Sequence, residues 1–228
     1  MYCTDLNCIF VHIPKTAGKS IERFFLSRRG LGWGQRDKLL LKQNYNPVKG
    51  PERLAHLTAE EYVRFGYIPE QDFYACFRFA FVRNPWARMV SEYRYQGYSS
   101  KLSFKDFVSN GLPEQDMSDA ARHLLPQYDF LYSAGGELMV NFVGRFEMLQ
   151  TDFDKVCDQL ELRSSRLPHF DHPGPRKMSA ISRLIALVKR LQPPKDIDYK
   201  SYYNAETKRL VEKLYEKDID TFRYTFDS

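Results

Sequence analysis

Apolar positions along the chain fall into two patterns, short unbroken runs and helical spacing, and they alternate. Residues 8–13 form a mostly apolar run stopped by Pro14, which predicts a buried strand entering a loop. Residues 20–29 then place Ile21, Phe24, Phe25 and Arg28 at helical spacing, with the apolar members on one face. Residues 30–55, rich in Gly, Asn, Lys and Pro, read as a surface excursion. Thr58 and Glu61 form a T-x-x-E capping box for the next helix. Leu57 and Tyr62 can staple across it, and Gly66 lies past its end. Residues 77–83 (FRFAFVR) give the strongest strand signal, and Asn84-Pro85 starts a helix with Met89, Val90 and Tyr93 inward. A shorter helix is expected over 103–110, closed by Gly111.

Further on, residues 138–147 predict one or two strands around Gly144, and Thr151 is expected to cap a helix burying Phe153, Val156, Cys157 and Leu160. Residues 163–195 carry eight basic groups against the single acid Asp171, with Ile181, Leu184, Ile185, Val188 and Leu191 marking an amphipathic helix over 178–191. A last helix over 205–218 should bury Leu210, Val211 and Leu214 before the aromatic tail FRYTF. Strands alternating with helices, without internal repeats, predict one α/β domain over residues 1–228, its mostly parallel sheet flanked by helices.

Composition narrows the classes. With 228 residues, 43% hydrophobic and 15% aromatic, the chain can fill a sizeable core, which excludes disorder, collagen and a pure coiled coil. The net charge of +5 is lopsided: residues 1–100 hold fifteen basic and nine acidic groups, a balance that suits an anionic ligand without singling out nucleic acid. Cys3, Cys8, Cys76 and Cys157 have neither zinc-site spacing nor secreted-framework density, so a reducing compartment fits and no metal site is expected. No apolar run approaches the roughly 20 residues of a membrane span, and the first residues lack the basic flank of a signal peptide. The expectation is a soluble, cytoplasmic protein.

Two constellations carry candidate chemistry. Pro14-Lys15-Thr16-Ala17-Gly18-Lys19-Ser20 lies between a strand and a helix, where small residues admit close approach and helix-start N–H groups attract an anion. Lys15 and Lys19 add cations, and Thr16 and Ser20 add hydroxyls. It is not a Walker A loop, because Ile13 stands where that motif requires glycine. The second constellation is Arg83, ending the best strand, with Ser91 about two turns into the next helix. Together they would hold a further phosphate at the carboxyl edge of the sheet.

As a pair, VHIPKTAGKS and FAFVRNPWARMVSEY resemble the two cofactor motifs of sulfotransferases that use 3′-phosphoadenosine 5′-phosphosulfate (PAPS), with the pattern nearest to the carbohydrate (family 2) branch. His56-Leu57-Thr58, Gly144-Arg145-Phe146-Glu147 and the Tyr-rich C-terminal helix also look familiar, so the resemblance runs in patches along most of the chain. Lys19 departs from the family loop, which usually has Thr or a similar residue there. The resemblance implies a three-layer, P-loop-kinase-like fold, PAPS as donor and 3′-phosphoadenosine 5′-phosphate (PAP) as product, with no metal. It implies that Lys15, Thr16, Ala17, Gly18, Lys19 and Ser20 bind the 5′-phosphosulfate, that Arg83 and Ser91 bind the 3′-phosphate, and that Arg176 and Lys177 close over the latter. It also implies a glycan or glycoconjugate acceptor. Animal relatives are typically Golgi membrane-anchored, which sets the expected soluble chain apart.

Lys15 is the candidate for charge stabilisation at the leaving oxygen. His56, just ahead of a helix cap, is the candidate base, with an unperturbed pKa near ~6.5 suited to the task and Glu60 or Glu61 as competitors. His12, inside a strand, reads as structural, while His169 and His172 are weaker candidates. Tyr93, Tyr95, Tyr98 and residues 43–47 are candidate acceptor-groove positions, and the 178–191 helix a lid, an oligomer contact or an anionic-surface contact. Two other readings stay open: a kinase using the same loop with ATP, and a non-catalytic module for an anionic ligand.

Overall fold

A computed structural model of the chain describes residues 1–167 and 198–228. Four strands form one mixed sheet in the order β1 (Tyr2–Cys3), β2 (Cys8–Val11), β3 (Phe77–Val82), β4 (Phe142–Arg145). β1 is antiparallel to β2, whereas β2–β3 and β3–β4 are parallel, so the last three strands end on a common edge. Strand alternation sends Ile9, Val11, Ala80 and Val82 to one face and Cys8, Phe10, Phe79 and Phe81 to the other, each face into its own apolar core.

Helices cover both faces. α1 (Gly18–Arg28) buries Ile21, Phe24 and Phe25 on the phenylalanine face. The opposite face receives α2 (Ala59–Arg64), α3 (Glu70–Ala75), α4 (Pro85–Tyr95), α5 (Phe104–Asn110), α6 (Asp119–Leu124) and α7 (Gln127–Leu131). After β4, α8 (Leu149–Gln159) returns to the phenylalanine face through Phe153, Val156 and Cys157. α9 (Ala205–Leu214) and α10 (Glu216–Phe222) then join the other core through Val211 and Phe222. Among the described residues, no helix is long and apolar enough to cross a membrane.

The helix starts follow local chemistry. Thr58 Oγ1 accepts the Glu61 N–H at 3.3 Å while the Glu61 carboxylate accepts the Thr58 N–H at 2.9 Å. Asn84 Oδ1 accepts the N–H groups of Trp86 and Ala87, with Pro85 in the first helical position.

Elsewhere tertiary packing changed the outcome. Over 138–147 there is one strand, plus a lone bridge pairing Tyr132 with Leu138. Gly144 does not divide two strands; it lets the Phe81 ring lie against the backbone, where a Cβ would come within 2.5 Å of that ring. α8 starts at Leu149, directly from the 3-10 turn Phe146–Met148, so Thr151 sits inside the first turn and caps nothing. The C-terminal helix breaks at Tyr215, whose buried hydroxyl donates to Leu124 O at 3.0 Å, and Leu210 is left 37% exposed. β1 has no signal in the sequence because two residues are too few to show a period. The 178–191 helix expected from the apolar spacing lies outside the described residues.

Candidate active site

The loop after β2 turns by placing two non-glycine residues, Lys15 (φ 71°) and Ala17 (φ 68°), in the left-handed region. Each costs on the order of 1–3 kcal/mol, strain that clusters where backbone N–H groups must converge. The loop is held from behind. Thr16, fully buried, donates its hydroxyl to Ile13 O at 2.8 Å, and the buried Arg88 of α4 donates Nε–H to Pro14 O at 3.3 Å. Arg88 Nη2 donates to both His123 O at 2.9 Å and Leu125 O at 2.7 Å, so this guanidinium clamps the loop to the end of α6. The first turn of α1 holds no acidic residue, and Ser20 N–H donates to Ala17 O.

Gly18 has a role the sequence did not disclose. A Cβ there would lie 1.9 Å from His12 Nε2, so the missing side chain is filled by the His12 ring. Lys15 and Lys19 share one partner: Lys15 Nζ lies 3.7 Å from the Tyr95 ring centroid, and Lys19 Nζ donates to Tyr95 Oη at 2.9 Å.

Arg83 turns toward this loop. Its Nη1 donates to Lys15 O at 3.2 Å and its guanidinium lies over Phe146, 4.0 Å from the ring centroid. Gln127 fixes the Arg83 backbone by bonding both its N–H and its carbonyl at 2.8 Å. Ser91 is half-buried on α4, one turn before Tyr95 and on the same helix face. Arg83 and the 14–20 loop therefore meet at the carboxyl edge shared by β2, β3 and β4.

Beside the loop runs a column of rings. His12 and His56 meet edge to face at 5.0 Å, His56 and His123 likewise at 5.0 Å, and His123 stacks on Tyr95 at 5.7 Å. Each imidazole has its own carboxylate: His12 Nδ1 to Glu22 at 2.6 Å, His56 Nδ1 to Asp119 at 2.9 Å, His123 Nδ1 to Glu92 at 2.7 Å. Burial, helped by the neighbouring His12 and His123 imidazoles, drives the His56 pKa down to about 3 against the opposing Asp119 bond. His56 is thus neutral at every physiological pH, and the near-neutral pKa expected from sequence is corrected by its desolvation. Burial raises Glu22, Glu92 and Asp119, but their histidine partners outweigh this and hold all three below the usual carboxylate range.

His56, Asp119 and His123 offer ligand atoms within 4.8 Å of one another, a spacing that fits a metal ion. Asp119 Oδ1 already accepts from His56 Nδ1 and its Oδ2 is ion-paired with Arg53 Nε at 3.0 Å, so an ion would have to displace a guanidinium. The competing Glu61 is engaged by Thr58, Arg64 and Arg122. Arg176, Lys177, His169 and His172 lie outside the described residues. Sequence reasoning missed Glu22, Arg88, Glu92, Asp119 and His123. The one local signal among them was the D-x-x-x-H spacing of Asp119 and His123 on a single helix face.

A model of the sulfotransferase family matches residues 1–225. The chain is similar to an uncharacterized protein of Archaeoglobus fulgidus, 38% identical over 88 residues, which cover 37% of this chain and 67% of that protein. No solved structure matches the chain.

Proposed function

Because the chain belongs to the sulfotransferase family, we propose that it moves a sulfuryl group from PAPS to a hydroxyl of a carbohydrate or glycoconjugate by in-line transfer, on a P-loop-kinase-like three-layer fold. The observation that carries this reading is the 3.2 Å bond from Arg83 Nη1 to Lys15 O, which brings Arg83 and the 14–20 loop to one edge of the sheet. The donor, when bound, supplies a sulfuryl group activated by its anhydride link to phosphate. Every other requirement falls on the chain.

The left-handed loop and the start of α1, from Thr16 through Ala17, Gly18 and Lys19 to Ser20, suit a 5′-phosphosulfate through the N–H groups ahead of Ser20, whose own N–H is taken by Ala17 O, and through the Lys19 ammonium. Lys15 supplies a compact ammonium for the oxygen that gains charge as the bond breaks, an interaction strongest in the transition state. Arg83 and Ser91 take the 3′-phosphate and set the register. His56 takes the acceptor proton. The ionised Asp119 carboxylate can only accept, so His56 Nδ1 must carry the hydrogen, leaving the lone pair on Nε2. The carbohydrate acceptor is supported by the motif resemblance.

Transfer of labelled sulfate from PAPS across a panel of glycan acceptors tests the activity, and calorimetry with PAP and with ATP tests the donor. Tight PAP binding with sulfate transfer is expected. Preferential ATP binding with phosphate transfer would replace this reading with a kinase.

A further inference from the structure

We propose that Tyr95 is the positioning residue for both loop lysines, keeping Lys15 and Lys19 available to an incoming anion; this deepens the reading above and rests on it for the role of Lys15. A lysine ammonium on a four-carbon stem has no preferred direction of its own. Here two of them converge on one phenol: Lys15 Nζ lies over the ring face and Lys19 Nζ bonds the hydroxyl. The ring is itself fixed, because it sits at the end of α4 and stacks on His123, whose Nδ1 is tied to Glu92.

Glu92 explains why an aromatic face is needed. It lies one turn before Tyr95, is buried and ionised, and Lys15 is among the charges that keep it so. A direct ion pair with this carboxylate would neutralise the lysine and hold it away from a ligand. A π-face attracts an ammonium more weakly than an anion does, so Tyr95 gives Lys15 a defined resting place that a phosphosulfate can outcompete. Through His123 and His56 the same ring also sets the spacing between the loop cations and the base.

The test compares Tyr95→Leu with Tyr95→Phe. In the free protein, acetylation of individual lysines by acetic anhydride, followed by peptide mass spectrometry, should change in Tyr95→Leu in opposite directions: up about two- to fivefold at Lys19, which loses the phenol, and down at Lys15, whose ammonium then turns to Glu92. The exposed Lys49 serves as the unchanged control. In Tyr95→Phe, which keeps the ring and the fold, Lys19 should show the same rise and Lys15 should not change. With PAPS, Tyr95→Leu should lose about tenfold or more in kcat while PAP affinity moves less than about threefold, and Tyr95→Phe should rescue most of kcat with a raised donor KM. Unchanged labelling of both lysines in Tyr95→Leu, or of Lys19 in Tyr95→Phe, overturns the proposal. So does a kcat loss that Tyr95→Phe fails to rescue. Were the native chain to transfer no sulfate, the sulfotransferase reading would fall while the labelling still decides the role of Tyr95.

Discussion

A side chain one carbon long at position 18 would collide with His12, which is bonded to Glu22 and packed edge-on against His56. Gly18→Ala should therefore lower stability by about 1–3 kcal/mol through overpacking, measured by urea unfolding, and lower turnover through the displaced His56. Lys15 and Arg83 separate by kinetics. Lys15→Ala should reduce kcat about 10²–10³-fold, as for other lost transition-state donors, while leaving affinity for PAP, which lacks the sulfuryl group, within about threefold. Arg83→Ala should weaken PAP binding by about 10–100-fold, the value of a charged hydrogen bond. Unchanged PAP affinity in that variant removes the 3′-phosphate assignment. Since His56 titrates near 3, its ionisation should give no acid limb between pH 6 and 7 in kcat/KM.

At the level of elements, the site depends on how α2 and α6 are joined. The Glu61 carboxylate closes the capping box of α2 and also meets Arg122 of α6 at 2.5 Å, with both groups buried. Arg122 neighbours His123 and stands three positions after Asp119, so this pair sets where α6 presents both groups to His56. Thr58→Ala, which removes only the cap, should cost about 1 kcal/mol. Glu61→Ala strands a buried guanidinium and should cost about 3–5 kcal/mol. Equal losses for the two variants by chemical denaturation would show that the join between the helices contributes nothing.

For the molecule as a whole, the three imidazole–carboxylate pairs tie stability to pH. An unfolded histidine takes up a proton near pH ~6.5, whereas folded His56 does so only near about 3. Between pH 6.5 and 4.5 the unfolded chain binds the additional proton, so stability should fall as pH falls, with His56 contributing up to ~1.4 kcal/mol per pH unit. Glu22, Glu92 and Asp119 are depressed in the folded state, so their contribution is intact above about pH 4 and is lost as the pH drops further through their folded values. Urea unfolding at pH 7, 6 and 5 checks this, and His56→Gln should flatten the upper part of the dependence. A wild-type profile already flat over that interval would contradict the burial of a neutral His56.

What the chain encodes locally was readable from residue order. The strands β2 and β3, the Thr58 and Asn84 caps and the turn over 14–20 each depend on neighbours within a few positions, where periodicity and hydrogen-bonding chemistry act directly. The clustering of basic and hydroxyl groups at 14–20 was visible for the same reason. Tertiary structure alone decided the partners: Arg83 on Lys15 O, both lysines on Tyr95, His12 in the space beside Gly18, and His56 between His12 and His123 with Asp119 on its Nδ1. Parallel strand pairing joins segments about 70 residues apart at one edge, and contacts across such distances leave no periodic trace in the sequence. The desolvation that keeps His56 neutral likewise comes from everything packed around it, so it exists only once the sheet and both helical layers have closed.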